Sequence, residues 1–333
     1  MVLALNETTK KVINMTDYRP GKKSPTLHPA TYEFLEEKFE TPDISLVQKA
    51  IAECHATHHS GCVQGMHLFG ESGTGKSYTI TDYGDDYPRY YENGQEIVPV
   101  LYVSLLEKVT TKALMKRILR TLTGQTKVPG DEEDIQAMLV KRLFAAKTEV
   151  VFIDETQHLT RESSPVSAQH AADAIKALMD STGIAIICIG VDRSLALLMG
   201  KSKFKKEKQL KRRNRRMYSL IAYECGSENW KDLMKYYQEL LNCEEDLTSD
   251  EMLKRMHVAT YGLFGNLTPL FKEAIEITGD FESINKGVLA QAYIEFQPKN
   301  ELSFNPFEAT LSTLEMELTE RIIDEEDDTE EVA

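Results

Sequence analysis

Short apolar runs alternate with helix-like stretches through the middle of the chain. Four such runs follow one another at residues 64–69, 97–104, 149–153 and 184–189, and each leads through polar or turn residues into a helical pattern. A fifth candidate strand lies at residues 217–223. Strands that alternate with helices imply a parallel sheet with both faces covered. The sequence therefore predicts an α/β fold in which a five-stranded parallel sheet is flanked by helices.

Helical periodicity dominates on both sides of this predicted sheet. Before it, apolar residues recur about every 3.6 residues in TYEFLEEKF and ISLVQKAIAECH, which predicts two helices between residues 29 and 56. After residue 227 the pattern is helical throughout, in WKDLMKYYQELL, DEMLKRMHVATYG, TPLFKEAIEI and KGVLAQAYIEF. We expect these four helices to form a small lid that follows the sheet domain.

These patterns divide the chain into four predicted regions. They are a polar lead-in over residues 1–28, an α/β core with its N-terminal helices over 29–226, a helical lid over 227–300, and a tail over 301–333. The end of the tail, residues 315–333, holds ten acidic side chains and one arginine. A segment so acidic buries too little apolar surface to offset its loss of conformational entropy. The tail is therefore predicted to be disordered.

The net charge of −14 is unevenly distributed along the chain. Without the acidic segment 315–333 the remaining chain carries about −5, because ten acids and one arginine leave together. Residues 201–216 hold ten lysines and arginines against the single acid Glu207. A local basic segment, and not the total charge, decides whether a phosphate backbone can be bound. A nucleic-acid partner therefore remains compatible with this acidic chain.

The cysteines and the apolar runs bear on the compartment. None of the five cysteines forms a CxxC pair, which favours reduced thiols in a cytoplasmic protein over a disulfide framework or a cysteine zinc site. No apolar run approaches the ~20 residues that a membrane helix needs. We expect a cytoplasmic location and no membrane partner.

The sequence GESGTGKS fits the phosphate-loop pattern G-x-x-x-x-G-K-[ST] between a predicted strand and a predicted helix. Its glycines allow backbone N–H groups to face phosphates, and the next helix presents its positive end to the same anion. Lys76 is predicted to bind the β and γ phosphates of ATP, and Ser77 to ligate Mg²⁺. The agreement of all eight positions disfavours a chance glycine-rich turn. The candidate cofactor-binding residues are Gly70, Glu71, Ser72, Gly73, Thr74, Gly75, Lys76, Ser77 and Tyr78.

A second motif is the acidic pair Asp154-Glu155, which ends the apolar run VVFIDE. Asp154 is predicted to position Mg²⁺, and Glu155 to orient and activate the water that attacks the γ phosphate. Alone, an acidic pair at the end of a strand is typical of a solvated turn. This pair follows Lys76 with one predicted strand between, a spacing that resembles the core of AAA+ ATPases. Together with the phosphate loop, the pair favours ATP hydrolysis over nucleotide binding alone.

AAA+ proteins commonly carry a polar sensor residue after the fourth strand and an arginine finger before the fifth. Asp192 is the nearest candidate for the sensor, with a cap of a helix starting at Ser194 as the alternative. Arg213 is our first choice for the finger, followed by Arg212 and Arg216, and the alternative is a solvated or DNA-facing basic stretch. A finger would complete the active site only in an oligomer.

The lid lacks the arginine that many AAA+ proteins carry in the second sensor region, within YGLFGNL. Asn266 is one candidate to replace it, and a lid that contributes only packing is the other.

Candidate DNA contacts follow the second predicted strand. Lys112 and Lys116 are four residues apart and so share one helix face, with Thr111 at the start of that helix. We add Arg161, beyond the acidic motif, to the same candidates for phosphate contacts. The alternative is an ordinary amphipathic surface helix. No base-reading motif is visible, so any binding of duplex DNA is expected to be electrostatic and tolerant of sequence.

Taken in order, the motifs resemble the TnsC/TniB family of AAA+ regulators of transposition, which is close to the replication initiator ATPases. The resemblance covers residues 28–280 and includes HPATYEFLEEKF, GESGTGKS, TTKALMKRILRTL, VVFIDETQHL, IICIGVD, QLKRRNRRMYSL and ATYGLFGNLTPLFKEAIEI. Its most telling parts are DETQHL and the lid without an arginine. A compact chain of this size is most similar to the TnsC of CRISPR-associated transposons.

The resemblance implies a specific activity. ATP-bound subunits are expected to assemble into rings or filaments around duplex DNA, to receive a signal from a TniQ-type adaptor, and to recruit the transposase. Hydrolysis is then expected to reset the assembly. Two alternatives stay open: a replication initiator or helicase loader, and a peptide-remodelling ATPase. The second normally has an aromatic–glycine pore loop after the second strand, and LLEKVTTK has no aromatic residue.

Overall fold

A computed structural model describes residues 26–106, 109–160, 165–195, 197, 216–296 and 302–331. The strands are β1 (Met66–Phe69), β2 (Tyr90–Glu92), β3 (Gln95–Ile97), β4 (Val100–Ser104), β5 (Val150–Asp154), β6 (Ala185–Gly190) and β7 (Arg216–Ser219). The helices are α1 (Pro29–Glu36), α2 (Pro42–His55), α3 (Lys76–Asp85), α4 (Thr111–Thr123), α5 (Glu132–Ala145), α6 (Pro165–Thr182), α7 (Glu228–Leu241), α8 (Asp250–Thr260), α9 (Phe264–Thr278), α10 (Lys286–Phe296) and α11 (Leu311–Glu331).

Five parallel strands form the central sheet in the order β4-β5-β6-β1-β7. Every residue of β5 and β6 is buried, as expected for a parallel sheet whose two faces are both covered by helices. The five strands predicted from the apolar runs are thereby confirmed. The order places the carboxyl ends of β1, β5 and β6 side by side, which is where open α/β sheets bind ligands.

A separate antiparallel hairpin, β2–β3, was missed by the sequence analysis. Its turn is Asn93-Gly94, and both residues have positive φ angles, of 51° and 79°. An Asn-Gly pair between two short strands is a strong hairpin signal because both turn positions require positive φ. The signal was therefore present, and the predicted strand at residues 97–104 is instead β4 preceded by the end of this hairpin.

A second hydrophobic core lies in the lid. The four predicted lid helices are present as α7 to α10, and their largest buried side chains include Trp230, Tyr237 and Phe271. Helix α1 contributes Phe34 to the same core and packs on α9, so α1 is associated with the lid and not with the sheet. Helix α2, which follows, has residues in both hydrophobic cores, so the chain passes from the lid to the sheet along α1 and α2.

The part of the tail that packs on the lid runs from residue 302 to Arg321, whereas the sequence analysis expected disorder. Phe307 and Leu314 are buried, with 2% and 0% exposure, against the lid. Arg255 donates to the backbone carbonyls of Pro306 and Ala309, the latter at 3.0 Å. The acidic composition gave no indication that a few apolar tail residues, and Arg255 of the lid, hold this segment in place.

None of the helices in the described ranges is long and apolar enough to cross a membrane.

Candidate active site

The phosphate loop joins β1 to α3 and is held against the end of β7. Gly70, Gly73 and Gly75 have positive φ angles of 139°, 88° and 95°. A Cβ atom at Gly70 would lie 1.9 Å from the carbonyl oxygen of Leu220, so only glycine fits there. Helix α3 starts at Lys76, and the unpaired N–H groups of its first turn therefore follow the loop directly.

The Lys76 ammonium lies inside this loop. Its Nζ donates to the carbonyl oxygens of Gly70, at 2.8 Å, and Glu71, and it lies 3.4 Å from Oγ1 of Thr74. Burial lowers the pKa of Lys76, while the carboxylates of Asp154 and other nearby acids act in the opposite direction. The loop thus positions one cation among backbone groups, which is the arrangement needed to bind an anionic phosphate.

Asp154 ends β5 with a carboxylate that accepts three hydrogen bonds. Oδ2 accepts from the Ser77 hydroxyl at 3.1 Å and from the Tyr102 hydroxyl at 2.6 Å, and Oδ1 accepts from the Glu155 N–H at 2.8 Å. The two residues predicted to ligate Mg²⁺, Ser77 and Asp154, are therefore in direct contact. A hydroxyl and a carboxylate are hard oxygen ligands, and they fit this ion.

Tyr102 is a site residue that the sequence analysis missed. It lies on β4 opposite Phe152 of β5, and the period of two residues places Tyr102 and Asp154 on the same face of the sheet. Burial and then the bond to Asp154 raise the pKa of Tyr102, so the hydroxyl keeps its proton and donates. This contact could be predicted only from the alignment of β4 with β5, and the sequence does not give that register.

Glu155 stands beyond the strand in a left-handed conformation, with φ of 60°. Its side chain is 46% exposed, and its Oε2 accepts from the Gln157 amide and lies 3.8 Å from Nε2 of His158. The other end of the Gln157 amide, Oε1, accepts from the Val191 N–H at 3.3 Å. Gln157 therefore connects Glu155 to the end of β6, where a Cβ on Gly190 would lie only 2.6 Å from Oε1.

The predicted sensor Asp192 lies on the short 3₁₀ turn Asp192–Leu195, which begins at Asp192 itself. The turn thus begins two residues before Ser194, and a role of Asp192 as sensor or as cap stays a prediction. Ser194 is buried, and its Oγ hydrogen-bonds with Nε2 of His67 at 2.7 Å. The exposed Asp192 carboxylate is one of the acids that act on the pKa of Lys76.

The lid contacts the phosphate loop through the start of α9. The Gly265 N–H donates to the carbonyl oxygen of Gly73 at 2.6 Å, and a Cβ at Gly265 would lie 2.8 Å from that oxygen. The ring of Phe264 lies 3.1 Å from the position of a Cβ on Gly75. Because the backbones of lid and loop touch, a movement of one is expected to reach the other.

Two further predicted residues are engaged near this contact. The Tyr78 hydroxyl accepts from the Phe39 N–H at 2.6 Å, and the Tyr78 ring packs against Phe264 with centroids 5.4 Å apart. The Asn266 amide donates to the carbonyl oxygen of Thr260 at 3.0 Å, so its donor group is used within the lid. A contact of Tyr78 with nucleotide stays a prediction.

The candidate DNA contacts on α4 line a surface groove of about 520 Å³. Thr111 and Lys112 share this groove with the acids Glu132 and Asp173, while Lys116 lies one turn further along α4. The nearby acids weaken the positive field that Lys112 presents.

The candidates Arg161 and Arg213 lie outside the described residues. Among the alternative finger residues, Arg216 is on β7 and forms an ion pair with Glu53 of its own chain.

Comparisons with known proteins identify the family and the fold. The family model described as "Bacterial TniB protein" matches residues 36–217. The Aeropyrum pernix ORC1 protein, solved in complex with DNA, is 13% identical, with a TM-score of 0.54 over 80% of this chain and 69% of that one. The Aeropyrum pernix ORC2 protein, in its ADPNP-ADP complexes, is 17% identical, with a TM-score of 0.52 over 79% and 71%.

The Cdc6p of Pyrobaculum aerophilum is 14% identical, with a TM-score of 0.52 over 79% of this chain and 70% of that one. A search of curated protein sequences finds no match. At these identities the likeness shows the fold alone, and it confirms the AAA+ fold with a five-stranded parallel sheet and a helical C-terminal region.

Proposed function

The chain belongs to the TniB family, and from this premise we propose that it is an ATPase that regulates DNA transposition. In this proposal it binds ATP and Mg²⁺ and assembles on duplex DNA as a ring or filament. The assembly links target selection, through a TniQ-type adaptor, to recruitment of the transposase subunits. The resemblance to the TnsC of CRISPR-associated transposons narrows the proposal to that kind of element.

The observation that carries the ATPase part is the contact between Ser77 and Asp154 beside Lys76. The loop N–H groups and Lys76 bind the phosphates, and Ser77 and Asp154 hold Mg²⁺. The ion supplies neutralisation of the charge that develops on the phosphate oxygens. Glu155, held by Gln157, orients the attacking water and accepts its proton. Arg213 of a neighbouring subunit completes the site in this proposal, and Asp192 reads the γ phosphate.

DNA binding is supported by the basic segment 201–216 and by the candidates on α4. It is supported also by the fold likeness to an ORC1 protein that was solved with DNA. With no base-reading motif in the sequence, the contacts are to phosphates, and the affinity depends on salt more than on sequence.

A second candidate is a replication initiator or helicase loader. The fold likeness to ORC1, ORC2 and Cdc6p favours it. The two candidates differ in their partners: binding to a TniQ-type adaptor and to transposase supports the first, and binding to a replicative helicase supports the second.

The test is to image the purified protein with random-sequence duplex DNA in ATP, in ADP and without nucleotide. Rings or filaments around DNA only in ATP are expected, because the γ phosphate is sensed between subunits. Lys76→Ala is expected to abolish assembly, and Lys235→Ala, at an exposed position of α7, to leave it unchanged. Assembly that does not depend on DNA would contradict the transposition proposal and favour a protein-remodelling ATPase.

A further inference from the structure

Three side chains of types that can ligate metals meet at the amino-terminal end of β5, away from the proposed nucleotide site at its other end. His55 is the last residue of α2, His58 lies in the following turn, and Glu149 directly precedes β5. One ligand atom from each lies within 4.8 Å of the others. Since Asp154 ends the same strand that Glu149 precedes, the length of β5 separates this cluster from the ATP site. The cluster therefore has no part in the chemistry proposed above.

Two of the three residues, His55 and Glu149, are held by rigid elements. The backbone N–H of Glu149 donates to the carbonyl oxygen of Pro99 at 2.8 Å, and its carbonyl oxygen accepts from Ala185 at 3.0 Å. Glu149 is thus fixed between β4 and β6, while His55 is fixed at the end of a 14-residue helix. A site on such elements is more precise than one on loops.

The hydrogen bond of His58 determines which of its nitrogens is free. Nδ1 lies 2.8 Å from the carbonyl oxygen of His55, and a carbonyl only accepts, so Nδ1 carries the proton. In the neutral ring Nε2 then has a lone pair, and it faces Oε1 of Glu149 at 3.9 Å. In this neutral form both atoms are acceptors, and a metal cation between them would take a lone pair from each. A histidine that donates one N–H to a backbone carbonyl is also the usual form of a metal ligand.

His55 contacts Glu149 more closely and through the other carboxylate oxygen. Its Nε2 lies 2.7 Å from Oε2 of Glu149, and its Nδ1 lies 2.9 Å from the hydroxyl of Tyr83. A tyrosine hydroxyl can both donate and accept, so this contact allows the His55 proton to sit on Nδ1. In the tautomer with the proton on Nδ1, Nε2 of His55 offers its lone pair on the side of Glu149, where a metal ion would be bound.

We propose that His55, His58 and Glu149 bind a divalent transition-metal ion of the Zn²⁺ class. Two imidazole nitrogens and a carboxylate suit Zn²⁺, whose ligand atoms lie about 3.4 Å apart for bonds of about 2.0–2.1 Å. One ligand atom from each of the three side chains lies within 4.8 Å of the others, so small side-chain movements bring them to this spacing. The side chains of His58 and Glu149 are 31% and 33% exposed, so water has access to the fourth position. The bound ion would connect His55, at the end of α2, to Glu149, at the start of β5.

The test uses the full chain without an affinity tag, stripped of metal with a chelator. Zn²⁺ is titrated in by calorimetry with millimolar Mg²⁺ present, so that Ser77 and Asp154 do not compete for Zn²⁺. One Zn²⁺ per chain is expected, together with a rise in Tm that Mg²⁺ alone does not give. The absorption of Co²⁺, bound in place of Zn²⁺, reports tetrahedral coordination.

Two variants and a control identify the ligands. His58→Gln and Glu149→Gln are each expected to weaken Zn²⁺ binding about tenfold or more and to remove most of the rise in Tm. His170→Gln, which removes an exposed imidazole on α6, is expected to bind Zn²⁺ as the wild type does. The proposal is overturned if the wild type takes up no equivalent of Zn²⁺, or if His58→Gln binds it as tightly as the wild type. Both readouts are independent of ATPase activity, so this proposal and the proposed function fail separately.

Discussion

At the residue scale, the site depends on polar groups that are buried with defined partners. Asp154 is 3% exposed and accepts from a serine, a tyrosine and a backbone N–H. Gln157 uses both ends of its amide, one toward Glu155 and the other toward Val191. Such bonds fix the geometry of the carboxylates of Asp154 and Glu155, the candidate catalytic groups, before any ligand binds.

Glu155→Gln is expected to retain ATP binding and assembly but to lower the rate of phosphate release about 100-fold. The amide keeps the shape of the side chain but cannot accept a proton from water, and such catalysis contributes roughly 10²–10⁴-fold. A phosphate-release assay at saturating ATP measures the change. Glu239→Gln, at a highly exposed position, is the matched control. Turnover near the wild-type rate in Glu155→Gln would assign the role to another group.

His67 is expected to make stability depend on pH. Burial lowers its pKa to about 4 in the folded chain, from an ordinary value of 6.5. As pH falls below 6.5 the unfolded chain takes up a proton that the folded chain does not, so the free energy of unfolding falls until about pH 4. The slope contributed by one such group is about 1.4 kcal/mol per pH unit.

Urea unfolding of the wild type and of His67→Gln between pH 7 and pH 4 tests this dependence. The profile of His67→Gln is expected to be shallower than that of the wild type in this window, whereas His170→Gln, which loses an exposed imidazole, keeps the wild-type slope. Parallel profiles for the wild type and His67→Gln would show that His67 takes up its proton equally in both states.

At the scale of elements, the contact between α9 and the phosphate loop connects the lid with nucleotide binding. The Gly265 N–H bonds to Gly73, and Phe264 covers Gly75. Helix α11 reaches the same lid, where the Arg321 guanidinium lies 3.6 Å from the centre of the Tyr261 ring. Tyr261 follows the end of α8, shortly before α9 begins. The tail therefore contacts the lid, and the lid in turn contacts the phosphate loop.

Gly265→Ala is expected to weaken ATP binding about tenfold. Its Cβ would lie 2.8 Å from the Gly73 oxygen and 3.0 Å from the Gly73 Cα, so backbone must move, and overpacking costs about 1–3 kcal/mol. Fluorescent nucleotide titration measures the affinity. The control is Gly287→Ala in α10, where the added Cβ meets only a side-chain oxygen at 3.3 Å. Equal affinities in the two variants would show that the lid contact does not influence the loop.

The sequence predicted local motifs well, but it did not predict contacts between strands. Two short motifs, each at the end of an apolar run, were visible in the sequence, and the structure brings their residues Lys76, Ser77, Asp154 and Glu155 together. Tyr102 was missed because its bond to Asp154 depends on the register of two strands that are far apart in the sequence.

For the tail, the acidic composition predicted disorder, but buried apolar residues such as Phe307 and Leu314 hold its first part against the lid. The β2–β3 hairpin was missed although its Asn-Gly turn was visible in the sequence.

At the scale of the whole molecule, an acidic chain is proposed to bind an acidic polymer. This requires the basic side chains to be collected on one surface while the acids lie elsewhere, as the acidic segment 315–333 and the basic segment 201–216 indicate. Local potential then governs binding, and it is screened by salt within about 10 Å at 0.1 M.

DNA affinity is therefore expected to fall linearly with salt on a logarithmic plot, with a slope of about −0.9 for each phosphate contacted. Fluorescence anisotropy with two unrelated duplexes is expected to give nearly equal affinities. Lys112→Ala and Lys116→Ala are each expected to reduce the slope by about one, and Lys235→Ala to leave it unchanged. An affinity that is independent of salt would contradict phosphate contacts.

The packing between Gln157 and Gly190 has a consequence for how this sequence can change by mutation. Gly190 does not need glycine for its backbone angle; it needs the space, since a Cβ would meet Gln157 Oε1 at 2.6 Å and Ser194 Cβ at 2.8 Å. A genetic screen for suppressors of Gly190→Ala is therefore expected to recover smaller residues at 157 or 194. A suppressor at 157 restores the packing but loses the amide bridge to Glu155, so it is expected to rescue assembly without rescuing turnover. Suppressors that fall only elsewhere would contradict this steric account.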